Sequence, residues 1–309
     1  FVREPLESTE NVIVTGDGGV GKSGVLGSVV EDWDSETLFL DASVHSTIED
    51  SAELADQIDL GGDLGRSIRQ ISIEEPLLVI VDQLDEVDKP TGEAFQEFLL
   101  KIAGQDEVAV AFACRTYELE EREEFEQLES SDLFSTKREI GHLDESDAEE
   151  HLIELIGSSP SDELIGLARK MEHLDIIAQL ADENIDLDDI GGEVSLWEGY
   201  RELLEREERP DGTSRGDDVV NRAVLYATRA IENREDGINI FSINPDRTWE
   251  DDRLISKDVI APASDRPGDR KVRFRHPSFL RYLYAWDAVQ DNRAIQDVTA
   301  QIDERLAKD

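Results

Sequence analysis

The sequence predicts an α/β fold in which a parallel sheet carries helices on both faces, followed by a mainly helical region. In the first half, short apolar runs of strand length alternate with segments whose apolar residues recur every three or four positions. From Asp144 onward the helical spacing dominates. Alternating strands and helices are typical of parallel sheets, because each parallel connection needs a crossover, which is usually a helix.

Five strands are predicted for the sheet. The run 77–82, LLVIVD, is apolar up to its final acid, as expected for a central strand that is buried on both faces. The other strands are predicted at 12–15, 37–41, 107–114 and 137–142. Amphipathic helices are predicted after the first strand and at 47–58 and 64–71. Residues 1–10 are expected to form a lead-in without a helix, because so few residues precede the first strand.

The second half is predicted to be helical with a small β-hairpin, as in a winged-helix unit. Helices are expected at 146–156, 161–171, 174–183, 196–207, 219–232, 277–290 and 294–306, and short strands at 238–243 and 271–275. The stretch 209–216, RPDGTSRG, is the best linker candidate. We therefore expect a sheet-containing domain at 1–143, a helical lid domain at 144–210 and a winged-helix-like domain at 211–309.

A glycine-rich loop joins the first strand to the first helix, with the sequence Gly16-Asp17-Gly18-Gly19-Val20-Gly21-Lys22-Ser23. The pattern G-x-x-x-x-G-K-S between a buried strand and a helix is specific for loops that wrap nucleotide phosphates. The glycines let backbone N–H groups surround a phosphate, and the helix N-terminus adds its positive end. Lys22 can reach the β- and γ-phosphates, and Ser23 can ligate Mg²⁺. We assign all eight loop residues to nucleotide binding.

Carboxylates stand at and just after the end of the central strand. Asp82 occupies the position of a Walker-B aspartate, which binds Mg²⁺ directly or through water. Asp85 and Glu86 follow, and a carboxylate at this place can orient or deprotonate the attacking water. Alternatively, Asp85 and Glu86 cap the helix that follows Pro90.

Arg115 directly follows the strand 107–114. Ligands of open α/β sheets lie at the carboxyl ends of the strands, so an arginine there can contact a γ-phosphate. A solvated arginine in a loop is the alternative.

The charge of the chain is strongly negative: 74 Asp and Glu stand against 31 Lys and Arg, giving a formal net charge of −43. The acids are spread through foldable segments rather than collected in a tail. We interpret them as adaptation to a salt-rich cytoplasm, because self-repulsion is screened within about 3 Å at 1 M salt. The composition resembles that of haloarchaeal proteins. It also argues against nucleic-acid binding by this segment, which would need a basic surface.

The cysteine content and the lack of long apolar runs indicate where in the cell the chain is expected. Cys114 is the single cysteine, which excludes an internal disulfide and fits a reducing cytoplasm. No apolar run approaches 18 residues and no signal-peptide pattern is present, so we expect a cytoplasmic protein without membrane contact. Because the chain begins at Phe1, close to the glycine-rich loop, we interpret it as a segment of a longer protein.

Four stretches together resemble the signal-transducing STAND class of P-loop ATPases, in particular its NACHT-like prokaryotic branch: GDGGVGKS, LLVIVDQLDE, VAFACRTYEL and VRFRHPSFLRYLYAWDAV. The resemblance places the sensor-1 role on Arg115. It also matches Phe274 to Phe279 with a family motif, F-x-H-x-S-F, whose histidine contacts the β-phosphate of ADP in the closed form. That role would fall on His276, for which capping of the helix from Pro277 is the alternative. The family turn that touches the adenine has no clear match, and Gln83 replaces a small residue.

The resemblance implies a switch that binds ATP or ADP with Mg²⁺ and hydrolyses ATP slowly. It further implies self-association on ATP binding and sensor or effector domains outside this segment, with anti-phage defence as a plausible setting. The alternatives are a constitutive remodelling or motor ATPase of the AAA+ type, a small-molecule kinase and a nucleotide-locked scaffold. Neither the preference for ATP over GTP nor the choice between Asp85 and Glu86 as the residue that activates water follows from the sequence.

Overall fold

A computed structural model describes residues 2–45, 48, 50–58, 60, 67–68, 76–207, 215–233, 238–239, 248–262, 271–290, 299 and 301–302. The chain forms two compact units, Phe1–His142 and Leu143–Asp309, and each has its own core. The expected second domain boundary, at residue 210, lies outside the described residues.

The first unit is built on a five-stranded parallel sheet, which confirms the predicted α/β class. Its strands are β1 (Val12–Thr15), β2 (Thr37–Asp41), β3 (Leu77–Asp82), β4 (Val108–Cys114) and β5 (Thr136–Glu139). Their spatial order is β2-β3-β4-β1-β5, and every pairing is parallel. β4 therefore lies between β1 and β3.

The central strands are buried because their side chains fill two cores, one on each face of the sheet. Along β3, Val79 and Val81 belong to one core, whereas Leu78 and Ile80 belong to the other. All residues of β3 and β4 are buried, including Cys114 at the end of β4. Each fully buried Val, Leu or Ile side chain contributes roughly 1.5–3 kcal/mol to folding. Continuous apolar sequence is thus required on these strands.

The helices of the first unit cover both faces of the sheet. They are α1 (Arg3–Glu7), α2 (Lys22–Glu31), α3 (Ser51–Gln57), α4 (Lys89–Ala103), α5 (Thr116–Glu121) and α6 (Glu126–Ser130). Side chains of α1 and α2 join one core, and those of α3 to α6 join the other. Most of the helix predicted at 64–71 lies outside the described residues.

The expectation of no helix in residues 1–10 was wrong, because α1 forms there. Its local propensity is low, since it has five residues and contains Pro5. Val2 and Leu6 are nevertheless 2% and 0% exposed, and they pack into the core beneath the sheet. Tertiary burial, which the local pattern does not reveal, stabilises this helix.

The second unit combines helices with a small antiparallel sheet. Its helices are α7 (Glu145–Ile156), α8 (Asp162–Ala168), α9 (Met171–Asp182), α10 (Glu193–Glu205), α11 (Gly216–Asn233), α12 (Trp249–Ser256) and α13 (Pro277–Gln290). The strands β6 (Ile238–Asn239), β7 (Ile260–Pro262) and β8 (Lys271–Phe274) pair antiparallel in the order β6-β8-β7. One core contains side chains from Ala148 to Ala288. The stretch 209–214 and most of the helix predicted at 294–306 lie outside the described residues.

Candidate functional site

The glycine-rich loop, residues 16–23, connects β1 to α2 by a path that ordinary side chains would obstruct. Gly16, Gly19 and Gly21 have φ angles of 147°, 77° and 100°, which L-residues with a side chain rarely adopt. A Cβ atom at Gly16 would also lie 2.2 Å from the carbonyl oxygen of Ile140. Gly21 is the N-cap of α2, so the loop ends where the helix begins.

Lys22 reaches back over this loop. Its Nζ donates hydrogen bonds to the carbonyl oxygens of Gly16 and Asp17, both over 2.9 Å. Burial lowers the pKa of the Lys22 ammonium, although the carboxylates of Asp85 and Asp82 oppose that change. A cation held on a loop at a helix N-terminus is arranged to receive an anion.

Ser23 and Asp82 meet beside the loop. The Ser23 hydroxyl is hydrogen-bonded to the Asp82 carboxylate, which also accepts the backbone N–H of Gln83 over 2.9 Å. Asp82 is 3% exposed, and burial raises its pKa despite these two hydrogen bonds.

Oxygen ligands of this kind fit Mg²⁺, which takes one or two carboxylates and completes its shell with water and phosphate. Among the residues described, no group of three or more His, Cys, Asp or Glu forms an all-protein metal site. A magnesium site that is completed by a nucleotide does not require such a group.

Arg115 is bound to the two carboxylates that follow β3. Its Nε lies 3.0 Å from Asp85 Oδ2, its backbone N–H donates to Asp85 Oδ1 over 3.1 Å, and its Nη2 lies 3.5 Å from Glu86 Oε1. A Cβ atom on Gly18 would lie 3.7 Å from Arg115 Nε, so the arginine also borders the glycine-rich loop. The structure thus brings Gly18, Asp85, Glu86 and Arg115 together.

The alternatives considered for these residues do not match their contacts. The cap of α4 is Asp88, which accepts the backbone N–H of Thr91 over 3.1 Å, rather than Asp85 or Glu86. Arg115 is 35% exposed and ion-paired, rather than free in solvent.

Two residues next to this site, Asp41 and Arg122, were not predicted from the sequence. Asp41, the last residue of β2, pairs in register with Asp82 and accepts a hydrogen bond from Gln83 Nε2 over 3.3 Å. Its signal was present, because both β2 and β3 end in an aspartate. Arg122 donates to the carbonyl oxygens of Asp85 and Val87 over 3.1 and 3.0 Å, which fixes the turn after β3.

His276, in the second unit, is bound to an acid. Its Nδ1 lies 3.2 Å from Glu172 Oε1, and its ring lies 6.1 and 6.2 Å from the rings of Trp197 and Tyr200. The backbone carbonyl of His276 accepts the N–H of Leu280 and so begins α13, while the side chain turns to Glu172. The histidine therefore contributes its backbone to the helix start.

Glu172 is itself held by a second cation. Its Oε2 lies 3.1 Å from Lys170 Nζ, and the side chain is 12% exposed. Burial alone would raise the pKa of this carboxyl, but the hydrogen bond with His276 and the charge of Lys170 lower its pKa to about 2.

Glu172→Gln is expected to lower the free energy of unfolding near neutral pH by on the order of 3 kcal/mol. Because the folded pKa, about 2, lies below the ordinary value of 4.5, the carboxylate's contribution is complete above pH 4.5 and is lost as the pH falls through 2. Urea unfolding of both proteins, followed by tryptophan fluorescence in molar KCl, should show the two converging across this window.

The matched control is Asp175→Asn, which changes an exposed carboxylate on the same helix. We expect that variant to stay within about 0.5 kcal/mol of the wild type. A Glu172→Gln deficit that stays constant between pH 5 and pH 2 would contradict the assigned ion pairs.

Comparison with protein-family models gave no match, and no curated protein matched the chain. In the described part of the chain, no helix combines the length and the apolar character needed to cross a membrane.

Proposed function

We propose that the chain is an ATP/ADP-dependent molecular switch, a P-loop NTPase of the STAND class with NACHT-like features. The observation that carries the proposal is the arrangement at one edge of the sheet. The carboxyl ends of β1, β3 and β4 bring together the glycine-rich loop with Lys22, the Ser23–Asp82 pair, and Arg115 with its two carboxylate partners. Loop N–H groups, a lysine, a hydroxyl and an aspartate form the donor set that nucleotide phosphates and Mg²⁺ need.

In this proposal each residue has one task. The loop N–H groups and Lys22 bind the β- and γ-phosphates, while Ser23 and Asp82 hold Mg²⁺. A Mg²⁺ ion held by these two side chains would supply positive charge next to the phosphates. Glu86 or Asp85 orients the attacking water, and Arg115 exchanges its carboxylate partners for the γ-phosphate when ATP is bound.

Arg115 gives the switch a physical basis. Its ion pairs with Asp85 and Glu86 compete with a γ-phosphate for the same guanidinium, so ATP and ADP favour different positions of Arg115. We propose that ADP, with His276 contacting its β-phosphate, favours a closed form and that ATP favours self-association. Sensor or effector domains outside this segment would use that change, and anti-phage defence is the setting that we propose.

The first experiment measures the nucleotide carried by the purified chain and its ATP turnover in molar KCl. Stoichiometric, slowly exchanging ADP with turnover far below about 10 s⁻¹ supports the switch. An empty site with rapid turnover would favour a constitutive remodelling ATPase of the AAA+ type. Light scattering with ATP and with ADP then shows whether the chain associates in an ATP-dependent manner.

His276→Ala is expected to weaken ADP binding about 10- to 100-fold and ATP binding about 3-fold or less. A hydrogen bond to a charged group contributes about 1.5–3 kcal/mol, which gives the larger factor. Competition of ADP and ATP against a fluorescent nucleotide measures both affinities.

His151→Ala is the control, because His151 is an exposed histidine of the same unit. Equal losses of ADP and ATP affinity in His276→Ala would contradict the proposal that this histidine distinguishes ADP from ATP.

A further inference from the structure

Gln83, the residue after Asp82, has a backbone conformation that glutamine rarely adopts. Its φ and ψ angles are 56° and 36°, in the left-handed region that glycine and asparagine tolerate best. A residue with a side chain keeps such a conformation only when the surrounding contacts enforce it. The carbonyl oxygen of Gln83 also accepts the N–H of Glu86 over 3.1 Å, which begins the turn Leu84–Glu86. The contacts of Gln83 therefore bear on the carboxylates that lie on both sides of it in the sequence.

Gln83 donates hydrogen bonds to two carboxylates, one through its side chain and one through its backbone. Its Nε2 donates to Asp41 Oδ2 over 3.3 Å, and its backbone N–H donates to Asp82 Oδ1 over 2.9 Å. Asp41 and Asp82 end the adjacent strands β2 and β3 and are paired in register. Like charges at paired positions of neighbouring strands repel each other. Because Gln83 supplies a donor to each acid, it offsets this repulsion.

The Asp41 carboxylate is fixed through its other oxygen. Asp41 Oδ1 accepts the backbone N–H of Ser43 over 3.0 Å and also the Ser43 hydroxyl, and so caps the turn Ala42–Val44. With Oδ1 bound to Ser43, Oδ2 is the oxygen that accepts from Gln83. Asp41 is therefore an oriented acceptor for the Gln83 amide.

We infer that Asp41 is a positioning residue for Asp82 and that it acts through Gln83. Asp41 binds the Gln83 side chain, and this contact keeps the backbone of residue 83 left-handed. The N–H of Gln83 then fixes Asp82 Oδ1, so that the carboxylate is oriented while it remains hydrogen-bonded to Ser23. This role rests on the proposed function, in which Ser23 and Asp82 hold Mg²⁺.

The first test compares alanine with glycine at residue 83, by urea unfolding of the nucleotide-free chain in molar KCl with EDTA. Both substitutions remove the side-chain amide, but only glycine adopts the left-handed conformation without a steric penalty. We expect Gln83→Ala to have an unfolding equilibrium constant about 5-fold larger than that of Gln83→Gly.

The stability test is completed by Asp41→Ala, made in the wild type and in Gln83→Gly. The loss of the Ser43 contacts is common to both backgrounds and cancels in this double-mutant cycle. We expect Asp41→Ala to raise the unfolding equilibrium constant about 5-fold more in the wild type than in Gln83→Gly. Such coupling would show that Asp41 acts on the side chain of Gln83.

Magnesium supplies the second readout, because a contact that only stabilises the fold leaves cation binding unchanged. We define the Mg²⁺ effect as the ratio of the ATP dissociation constants measured in EDTA and in excess Mg²⁺. Asp41→Ala and Gln83→Ala should each reduce this ratio about 10-fold, the lower end of the effect of removing a residue that orients a metal ligand. Gln83→Gly should remain close to the wild type, both alone and combined with Asp41→Ala. ATP affinity in EDTA should be the same in all of these variants.

Two further variants provide the controls for the magnesium measurement. Ser43→Ala removes a hydroxyl contact of Asp41 without touching Gln83, and it should retain the Mg²⁺ effect. Asp82→Asn removes the proposed metal ligand, and it should abolish the effect.

The two readouts separate the positioning role from the proposed function. An equal loss of stability from Asp41→Ala in both backgrounds would overturn the role of Asp41. A Mg²⁺ effect that Asp82→Asn abolishes but Gln83→Ala leaves intact would also overturn it. If Asp41→Ala does not fold, the comparison of Gln83→Ala with Gln83→Gly decides. A Mg²⁺ effect that is absent from the wild type, or that persists in Asp82→Asn, would instead contradict the proposed magnesium site, and the stability measurements alone would then decide whether Asp41 positions Gln83.

Discussion

Lys22→Ala is expected to weaken both ATP and ADP binding by about 1,000-fold. Lys22 Nζ contacts the loop carbonyls of Gly16 and Asp17, the place where we propose that the phosphates bind. Two charge-assisted hydrogen bonds of about 2 kcal/mol each correspond to this factor. Calorimetric titration of the variant should show no binding at nucleotide concentrations that saturate the wild type.

Thermal unfolding provides an independent measurement of the same loss. A nucleotide at 100 times its Kd stabilises the wild type by about 2.7 kcal/mol, which raises the Tm by several degrees, whereas the variant should show no shift. Lys101→Ala removes a half-exposed lysine from the last turn of α4 and is the matched control. Retained nucleotide binding in Lys22→Ala would refute the proposed phosphate site.

Glu86→Gln is expected to reduce the rate of ATP hydrolysis at least about 100-fold while leaving ATP affinity within a few-fold of the wild type. General-base catalysis contributes about 10²–10⁴ to rates. The structure distinguishes the two candidate acids: the Asp85 side chain is 5% exposed and contacts both the backbone and the guanidinium of Arg115. The Glu86 side chain is 35% exposed and lies 3.5 Å from Arg115 Nη2. Glu86 is therefore the better placed to contact water.

Asp85→Asn is expected to lower the stability of the first unit, because it weakens the ion pair between Asp85 and Arg115. Single-turnover hydrolysis and equilibrium binding, measured on both variants, separate chemistry from affinity. Glu97→Gln is the control, because the Glu97 side chain on α4 is half-exposed. Unchanged turnover in Glu86→Gln, with no turnover in a folded Asp85→Asn, would assign the base to Asp85 instead.

The central strands could be predicted from the sequence because their burial on both faces leaves a continuous apolar run. β1 and β3, two interior strands, begin and end at the predicted residues. β5 was predicted at 137–142 but spans Thr136–Glu139, because this strand is partly exposed and carries no such run. α1 was missed because the residues that stabilise it by contact are distant in the sequence, so its own residues carry no clear helical pattern.

Apart from Asp41 and Arg122, the residues of the candidate site could be named from sequence, but their pairings could not. A strand followed by an acid or an arginine places that side chain at the edge of the sheet. Whether Arg115 contacts Asp85, which is 30 residues away, depends on the turn that Arg122 holds. The Glu172–His276 contact spans 104 residues and joins two segments that share no local pattern.

The reaction of Cys114 with a thiol reagent can report how often the sheet of the first unit opens. The thiol is fully buried at the end of β4, and burial raises its pKa, so a thiol reagent can react only when this strand leaves the sheet. Because the sequence contains no second cysteine, the labelling rate measures that single event. A nucleotide that binds the closed sheet must slow labelling by the factor 1 + [L]/Kd when reclosing is fast. Affinities for unmodified ATP and ADP can therefore be obtained without an engineered probe.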